Sequence, residues 1–315
     1  MQTLVIATRG SKLALRQAEY VKKRLLAACP FVASVELLAV KTKGDALLDA
    51  PLAKIGGKGL FVKEIEEALL DGRADLAVHS MKDVPMDLPE TLCLAAVLER
   101  EDPRDLFLSM RCPDLASLPR GARVGTCSLR RQAGLLALRP DLTVTALRGN
   151  VDTRLAKLAA GEYDAILVAA AGMKRLGLAA PFMAALSPDS MLPAAGQGAL
   201  GLECRADRPE LAATLRRLDH AETRLCVTAE RGFLAGLGGG CQTPMAAHAR
   251  IEAGTLALDA LLARADGSEC IRKTARMAAE KGKEHARSLG LSLAQTIRHS
   301  GGDALLAALF AAENP

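Results

Sequence analysis

At 315 residues the chain is too long to fold around one ordinary hydrophobic core, so we expect two or three domains. No apolar run approaches the roughly 20 residues that span a bilayer, and the N-terminus lacks the basic segment and cleavage site of a signal peptide, which predicts a cytoplasmic protein without a membrane partner. The net charge is +5 and aromatic residues make up only 3%, so a stacking platform for nucleic acid is not expected.

The positive charge is concentrated in the middle of the chain. Residues 104–192 hold twelve basic and seven acidic side chains, an excess equal to the net charge of the whole protein. A small polyanionic ligand fits this distribution better than nucleic acid does, because no block of more than three consecutive basic residues is present.

The eight cysteines are scattered and form no Cys-x-x-Cys pair. This spacing supports neither a zinc site nor a secreted disulfide scaffold. We therefore predict reduced, mostly buried cysteines and no metal centre.

The chain opens with a predicted strand over residues 3–7 and a helix that Ser11 can cap. Arg9 and Ser11 thus lie at a strand-to-helix turn, where a guanidinium and backbone N–H groups can hold an anion. A second strand is predicted over residues 35–40.

A long loop over residues 42–59 follows, and its length is uncommon without a function. We interpret it as a mobile lid carrying Asp45, Lys54 and Lys58; its Gly-Gly-Lys-Gly run lacks the spacing of a phosphate-binding loop. Phe61, near the start of the next predicted helix (residues 60–70), is either a core side chain, the commoner role, or a stacking face beside the lid.

The stretch from Ala77 to Pro85 follows a predicted buried strand over residues 74–78. Ligands of open α/β sheets bind beyond the carboxyl ends of strands, so Ser80, Lys82 and Asp83 are candidates for a cleft floor. The carboxylate of Asp83 can face a cationic intermediate of a bound substrate, and the ammonium of Lys82 can face a carboxylate of the same substrate. A solvated Lys–Asp pair in a strand-end turn is the alternative.

After a predicted strand over residues 92–98, the charged run 99–105 is broken by a proline, which is typical of a hinge between lobes. The second lobe then alternates strands at 123–125, 142–147 and 165–169 with helices at 128–138, 151–160 and 173–176. This alternation predicts a largely parallel sheet.

Basic residues recur at the strand-to-helix turns of this lobe: Arg130 and Arg131, Arg148 and Arg154, and Lys174 with Arg175. Positive side chains at helix N-termini oppose the macrodipole, a local cost that makes sense if they hold anions. Because the pattern occurs three times, we favour an anion site over solvated arginines.

Residues 196–201 match Gly-x-Gly-x-x-Gly but lead into a predicted strand rather than a helix, so we reject a dinucleotide site. Residues 193–198 are interpreted as a second crossing between lobes.

Beyond them, a capping box from Asp219 to Glu222 opens a long helix. Strands at 246–251, 255–262 and 268–276, with an Asp266-Gly267 turn, and two helices at 278–298 and 303–312 complete a small α+β domain.

Between the capped helix and this sheet lies Gly238-Gly239-Gly240-Cys241-Gln242. The glycines let the backbone bend tightly and present one thiol without obstruction. Cys241 is therefore a candidate for covalent chemistry rather than for packing.

Taken together, these motifs closely resemble those of the porphobilinogen deaminases, also called hydroxymethylbilane synthases. The resemblance covers almost the whole chain, through residues 7–11, 55–61, 79–85, 125–131, 147–151, 193–198 and 239–242. It implies a cytoplasmic, monomeric transferase of haem and tetrapyrrole biosynthesis that condenses four porphobilinogen molecules into hydroxymethylbilane. Ammonia is released at each addition.

The resemblance also implies a dipyrromethane cofactor joined by a thioether to Cys241, with Asp83 as the catalytic acid that stabilises cationic azafulvene intermediates. A departure is Cys127, where many relatives carry serine, which puts a second thiol beside the cofactor. The implied cofactor-binding residues are Cys241, Lys82, Ser80, Thr126, Ser128, Arg130, Arg131, Arg148 and Asn150. The implied substrate-binding residues are Arg9, Ser11, Arg148, Arg154, Arg175, Phe61 and Gln197.

The fold expected from the resemblance is α/β, with two interleaved lobes of mixed, doubly wound sheet like those of periplasmic binding proteins. A C-terminal α+β domain with a three-stranded antiparallel sheet follows. The predicted domains are residues 1–98 with 199–217, residues 104–192, and residues 220–315. Two alternatives remain: a two-lobed binding protein for an anionic ligand, and a cysteine-nucleophile transferase without a bound cofactor.

Overall fold

The computed structural model of the chain describes residues 2–42, 62–238 and 243–313. The described residues fall into two compact units, one formed by 2–42, 62–101 and 198–224, and the other by 102–197, 225–238 and 243–313. No described helix combines the length and the apolar character that crossing a membrane requires.

The described strands are β1 (Gln2–Arg9), β2 (Val32–Val40), β3 (Leu76–Ser80), β4 (Leu92–Val97), β5 (Asp105–Ser109), β6 (Arg123–Gly125), β7 (Thr143–Thr145), β8 (Ala165–Ala169), β9 (Phe182–Ala185), β10 (Leu200–Arg205), β11 (Met245–Glu252), β12 (Thr255–Ala263) and β13 (Cys270–Ala278). The described helices are α1 (Lys12–Ala28), α2 (Lys63–Leu70), α3 (Leu129–Leu138), α4 (Val151–Ala159), α5 (Ala170–Leu176), α6 (Pro209–Leu215), α7 (Ala221–Leu237), α8 (Gly282–Ile297) and α9 (Asp303–Glu313). Short helical turns occur at Met81–Asp83, Arg216–Leu218, Ala279–Lys281 and Arg298–Gly302.

The first unit is built on a five-stranded sheet in the order β2-β1-β3-β10-β4. β1 is parallel to β2 and β3, whereas β10 is antiparallel to β3 and β4. Side chains of β1 alternate between two apolar layers: Leu4 and Ile6 pack with Leu25 of α1, and Ala7 packs with Ile65 of α2. The central part of the sheet is therefore covered by apolar side chains on both faces.

The predicted start of α1 is confirmed, because Ser11 Oγ accepts a hydrogen bond from the Ala14 backbone N–H at 3.3 Å. The capping box predicted for α7 is wrong. The carboxylate of Asp219 instead binds the Val97 backbone N–H and the Arg224 guanidinium. The ring of His220 takes its place at the helix start and accepts from the Thr223 backbone N–H at 3.3 Å.

The second unit contains a five-stranded sheet in the order β7-β6-β8-β5-β9. β6 is parallel to β7 and β8, as predicted, but β5 is antiparallel to both of its neighbours, so the sheet is mixed. β5 and β9 were not predicted from the sequence. Asp105 was predicted to lie in a hinge, whereas it begins β5 and is completely buried.

The same unit contains the predicted antiparallel sheet β11-β12-β13 and the two helices α8 and α9. The Asp266-Gly267 turn joins β12 to β13, and Asp266 Oδ1 accepts from the Ser268 N–H at 3.0 Å. Gly267 has φ +74°, and a Cβ there would clash with the backbone of Ala137 in α3. Glycine is therefore needed both for the turn and for its packing.

The strand after the glycine-rich segment is also confirmed, since residues 200–205 form β10 rather than a helix. This geometry supports the rejection of a dinucleotide site.

All seven described cysteines are free thiols, although only Cys29, Cys204 and Cys226 are fully buried. The expectation of mostly buried cysteines is therefore only partly met.

Candidate active site

Part of the candidate site lies at one edge of the first unit's sheet. Because β1 and β3 are parallel, with Ala7 opposite Ala77, their carboxyl ends reach the same edge. Arg9 is the last residue of β1, and Ser80 is the last residue of β3. The predicted strand over residues 74–78 therefore ended two residues too early.

Lys82 and Asp83 follow this strand in a single turn of 3₁₀ helix. Both are half-buried. The start of the turn is fixed by a hydrogen bond from the Met81 N–H to the Ala199 carbonyl at 3.0 Å. Within the part of the chain that the structure describes, the Asp83 carboxylate has no hydrogen bond or ion pair, which leaves its charge available to a ligand.

The rest of the described candidates lie in the second unit, most of them at the carboxyl edge of its parallel strands. β6 leads to Thr126 and Ser128, and β7 leads to Arg148 and Asn150. Ser128 is the N-cap of α3, and its backbone N–H donates to Thr126 Oγ1 at 3.1 Å. Asn150 is the N-cap residue of α4 but makes no side-chain capping bond.

Arg130 and Arg131, in the first turn of α3, both bind the carboxylate of Asp105. Arg130 Nη1 lies 2.6 Å from Asp105 Oδ2, and Arg131 Nη2 lies 2.7 Å from Oδ1. Arg130 and Arg131 are 7% and 6% exposed, and Asp105 is 0% exposed. Burial by itself would raise the pKa of Asp105, but the two cations outweigh it and hold that pKa well below its usual range.

Two guanidiniums on one carboxylate leave the cluster with one surplus positive charge. Two further hydrogen bonds run to backbone carbonyls: Arg130 Nη1 also donates to Leu192, at 2.9 Å, and Arg131 Nη1 donates to Leu167, at 3.0 Å. The arrangement is rigid, buried and cationic, which suits the binding of a carboxylate ligand.

Gln197, predicted to bind substrate, is buried against this cluster. Its Nε2 donates to Asp105 Oδ1 at 2.9 Å and to the Pro103 carbonyl at 2.6 Å. Asp105 is therefore the member of this candidate cluster that sequence reasoning missed. The sequence did contain a sign of such an acidic partner, namely the pair Arg130 and Arg131 at a helix start, because two adjacent cations there require a nearby anion.

The two remaining arginines differ from each other in position. Arg154 lies in the first turn of α4, where its Nε donates to the Gly149 carbonyl at 2.8 Å. Arg175 lies in the last turn of α5. A cation is favoured at a helix C-terminus, so the prediction of a third arginine-bearing helix start is wrong.

Five predicted residues lie outside the described ranges: Asp45, Lys54, Lys58, Phe61 and Cys241. The helix that leads toward Cys241 is well anchored at its described end. Arg298 donates to the carbonyls of Gly236 and Leu237 at 3.0 and 3.1 Å, which satisfies two of the terminal acceptors of α7.

Comparison with known proteins identifies the family. The profile described as "Porphobilinogen deaminase, dipyromethane cofactor binding domain" matches residues 4–213, and that described as "Porphobilinogen deaminase, C-terminal domain" matches residues 224–299. The chain belongs to the porphobilinogen deaminase family. The first matched domain contains every described candidate residue, and the second contains Cys241.

Individual relatives agree with this assignment. The chain is 60% identical over 311 residues to the porphobilinogen deaminase of Nitratidesulfovibrio vulgaris strain Miyazaki F, covering 98% of both chains. It is 55% identical over 310 residues to that of Lawsonia intracellularis, covering 98% of this chain and 99% of the relative. Porphobilinogen deaminases are enzymes of tetrapyrrole biosynthesis, so the alternative of a binding protein without enzymatic activity is not supported.

Among solved structures, the VFT2 domain of Bordetella pertussis BvgS is similar with a TM-score of 0.41 and 16% identity, over 69% of this chain and 86% of that domain.

Proposed function

We propose that this chain joins four porphobilinogen molecules head to tail into hydroxymethylbilane and releases one ammonia at each addition. The structural observation that carries the proposal is the surplus guanidinium of the Asp105–Arg130–Arg131 cluster. Each pyrrole unit bears two carboxylates, so a growing product is a polyanion that requires fixed cations. The cluster lies beside the polar edge formed by Thr126 and Ser128.

These residues also fit the dipyrromethane cofactor that the matched domain binds. Its carboxylates call for guanidinium, ammonium, hydroxyl and amide donors, and the described edges supply all four kinds. When bound, the cofactor supplies the pyrrole to which substrate units are added. We assign its attachment to Cys241 and its binding to Ser80, Lys82, Thr126, Ser128, Arg130, Arg131, Arg148 and Asn150.

Asp83 is the proposed catalytic carboxylate. Its position at a strand end, half-buried and with no described partner, lets it hold negative charge opposite the cation that develops as ammonia leaves the substrate. A charge that is fixed before the reaction stabilises the transition state without reorganisation. Lys82, the preceding residue, offers an ammonium to a carboxylate of the bound ligand.

Substrate carboxylates and rings are assigned to the remaining candidates. Gln197 acts in this scheme through Asp105, because its amide already binds that carboxylate. Asp45, Lys54 and Lys58 are proposed to cover the bound substrate. The other assigned residues are Arg9, Ser11, Phe61, Arg148, Arg154 and Arg175.

We further propose a cytoplasmic monomer with the three domains 1–98 with 199–217, 104–192 and 220–315. The separate apolar clusters of the two five-stranded sheets and of the three-stranded sheet support this division. Size-exclusion chromatography with light scattering tests the monomer.

The reaction is tested by supplying porphobilinogen to the purified protein and measuring ammonia and the linear tetrapyrrole together. We expect four ammonia molecules for each hydroxymethylbilane. Cys241→Ser is the matched inactive control, because a hydroxyl is a far weaker nucleophile than a partly ionised thiol. Consumption of porphobilinogen without a tetrapyrrole product contradicts the proposal.

A further inference from the structure

A buried ionisable pair includes His79, two residues before the turn that carries Asp83. His79 Nε2 is 2.9 Å from Glu203 Oε2, and the two residues are 5% and 1% exposed. Ala77 is opposite Glu203 in the β3–β10 pairing, so His79, two residues further along, shares its face of the sheet. The pair therefore joins the end of β3 to the central residues of β10.

A third ionisable group, Glu66 of α2, faces this pair. One carboxylate oxygen of Glu66 and the second oxygen of Glu203 are buried, with no hydrogen-bond partner among the described residues. Burial raises the pKa of Glu66, the charge of Glu203 raises it further, and His79 opposes the shift. Burying carboxylate oxygens without hydrogen-bond partners, and two carboxylates near each other, costs free energy of folding. The packing of apolar side chains does not require either feature.

A polar contact also restrains the end of β3 from the opposite face of the sheet. Gln17 Nε2 of α1 donates to Ser80 Oγ at 3.1 Å. Consecutive residues of β3 are thus held from both sides of the sheet, His79 by Glu203 and Ser80 by Gln17. The 3₁₀ turn with Asp83 begins at the very next residue.

We infer that His79 and Glu203 are positioning residues that fix the direction in which Asp83 leaves the sheet. This inference rests on the proposed catalytic role of Asp83. A buried His–Glu bond restrains a strand end more tightly than apolar contacts do, because it has one short geometry rather than many equivalent ones. Correct placement of a reacting group is worth large factors in rate, and an error of about 1 Å can cost on the order of 100-fold.

The test compares His79→Leu, which fills the space but breaks the bond, with His79→Gln, which retains an amide that can reach Glu203. We expect His79→Leu to lower kcat about 10- to 100-fold with little change in KM, and His79→Gln to recover most of the loss. Val78→Ala is the matched control, since Val78 is 4% exposed on the other face of the same strand and should keep kcat within about twofold of the parent.

A second readout does not depend on turnover. Hydrogen exchange of peptides covering residues 80–86 should accelerate in His79→Leu and Glu203→Leu but not in Val78→Ala. This measurement applies to any variant that folds, including one that has lost its cofactor. Equal kcat for His79→Leu and His79→Gln, with unchanged exchange in this segment, overturns the inference.

A double-mutant cycle separates the inference from the proposed function. If His79 acts through Asp83, then Asp83→Asn combined with His79→Leu should be no slower than Asp83→Asn alone. Losses that simply multiply overturn the positioning role. A fully active Asp83→Asn single variant, in contrast, overturns the proposed role of Asp83 itself.

Discussion

Arg131 donates two hydrogen bonds to Asp105 Oδ1, from Nη2 at 2.7 Å and from Nε at 3.1 Å. This contact joins the first turn of α3 to the first residue of β5. The carboxylate satisfies the helix-start arginines internally, so the cost that they impose on the helix macrodipole is offset even without a ligand. The site's cations are in this way fixed in place by the fold.

Replacing Asp105 should therefore destabilise the protein strongly. Asp105→Ala leaves two buried guanidiniums without their carboxylate, and removing one partner of a buried ion pair costs about 3 to 5 kcal/mol. The control is Asp102→Ala, which breaks the more exposed pair with Arg104 and should cost less than about 1 kcal/mol. Urea denaturation of both variants measures the difference, and equal free energies of unfolding contradict the structural role of Asp105.

Arg130, Arg131 and Arg148 should each be required to take up or retain the cofactor. Arg131→Leu leaves a partly desolvated carboxylate of the cofactor without its cation. At an effective dielectric near 20, losing that charged partner costs on the order of several kcal/mol of binding free energy. We expect this variant to accumulate without the cofactor, whereas Arg120→Leu, at an exposed position of the same unit, should be fully loaded. Mass spectrometry of the intact variants gives the loaded fraction. A fully loaded and active Arg131→Leu protein refutes the anion-binding role.

Asp83→Asn should lose transition-state stabilisation while keeping the fold. The substitution preserves size but removes the negative charge, so kcat should fall about 10²- to 10³-fold, roughly 2.7 to 4 kcal/mol. Single-turnover release of ammonia by cofactor-loaded protein measures the chemical step directly.

The matched control is Asp87→Asn, an exposed carboxylate four residues further along the chain. It should behave as the parent does. If Asp83→Asn stays within about tenfold of the parent, a barrier change of only ~1.4 kcal/mol, the catalytic carboxylate must be sought elsewhere, first at Asp45.

The raised pKa of Glu66 predicts a pH dependence of stability. Its neutral form is favoured in the fold, mainly because of burial and then because of Glu203. The associated stability is fully present below the ordinary carboxyl pKa of 4.5 and is lost as the pH rises through the raised value.

Glu66→Gln removes this titration and should flatten that part of the profile. Glu203 and His79 still face this position in the variant. Thermal unfolding from pH 4 to pH 8 should therefore show a larger loss with rising pH in the parent than in Glu66→Gln. Identical profiles argue that the ionisation of Glu66 does not influence folding.

Features encoded by neighbouring residues were predictable from the sequence. The cap at Ser11 and the turn at Asp266-Gly267 depend on side chains that bond to backbone within three residues. The parallel pairing of β6 with β7 and β8 followed from the regular alternation of predicted strands and helices in the second lobe. In the structure these elements bring Thr126, Ser128 and Asn150, which the family resemblance named, to one sheet edge.

Features that depend on distant residues were not predictable in this way. Asp105 lies in a charged run typical of a linker, but its strand pairs with β8, and its buried charge is compensated by Arg130 and Arg131, 25 and 26 positions along the chain. The end of β3 was misplaced because Ser80 pairs with Leu200, far along the chain. The mutual contact of His79 and Glu203 likewise spans 124 positions and leaves no local pattern.

The most direct test of the account is the mass of the intact purified protein followed by peptide mapping. We predict a mass that exceeds the sequence mass by one dipyrromethane, with the adduct on Cys241 and none in Cys241→Ser. An unmodified mass in fully active protein, or an adduct on Cys127 instead, contradicts the central claim.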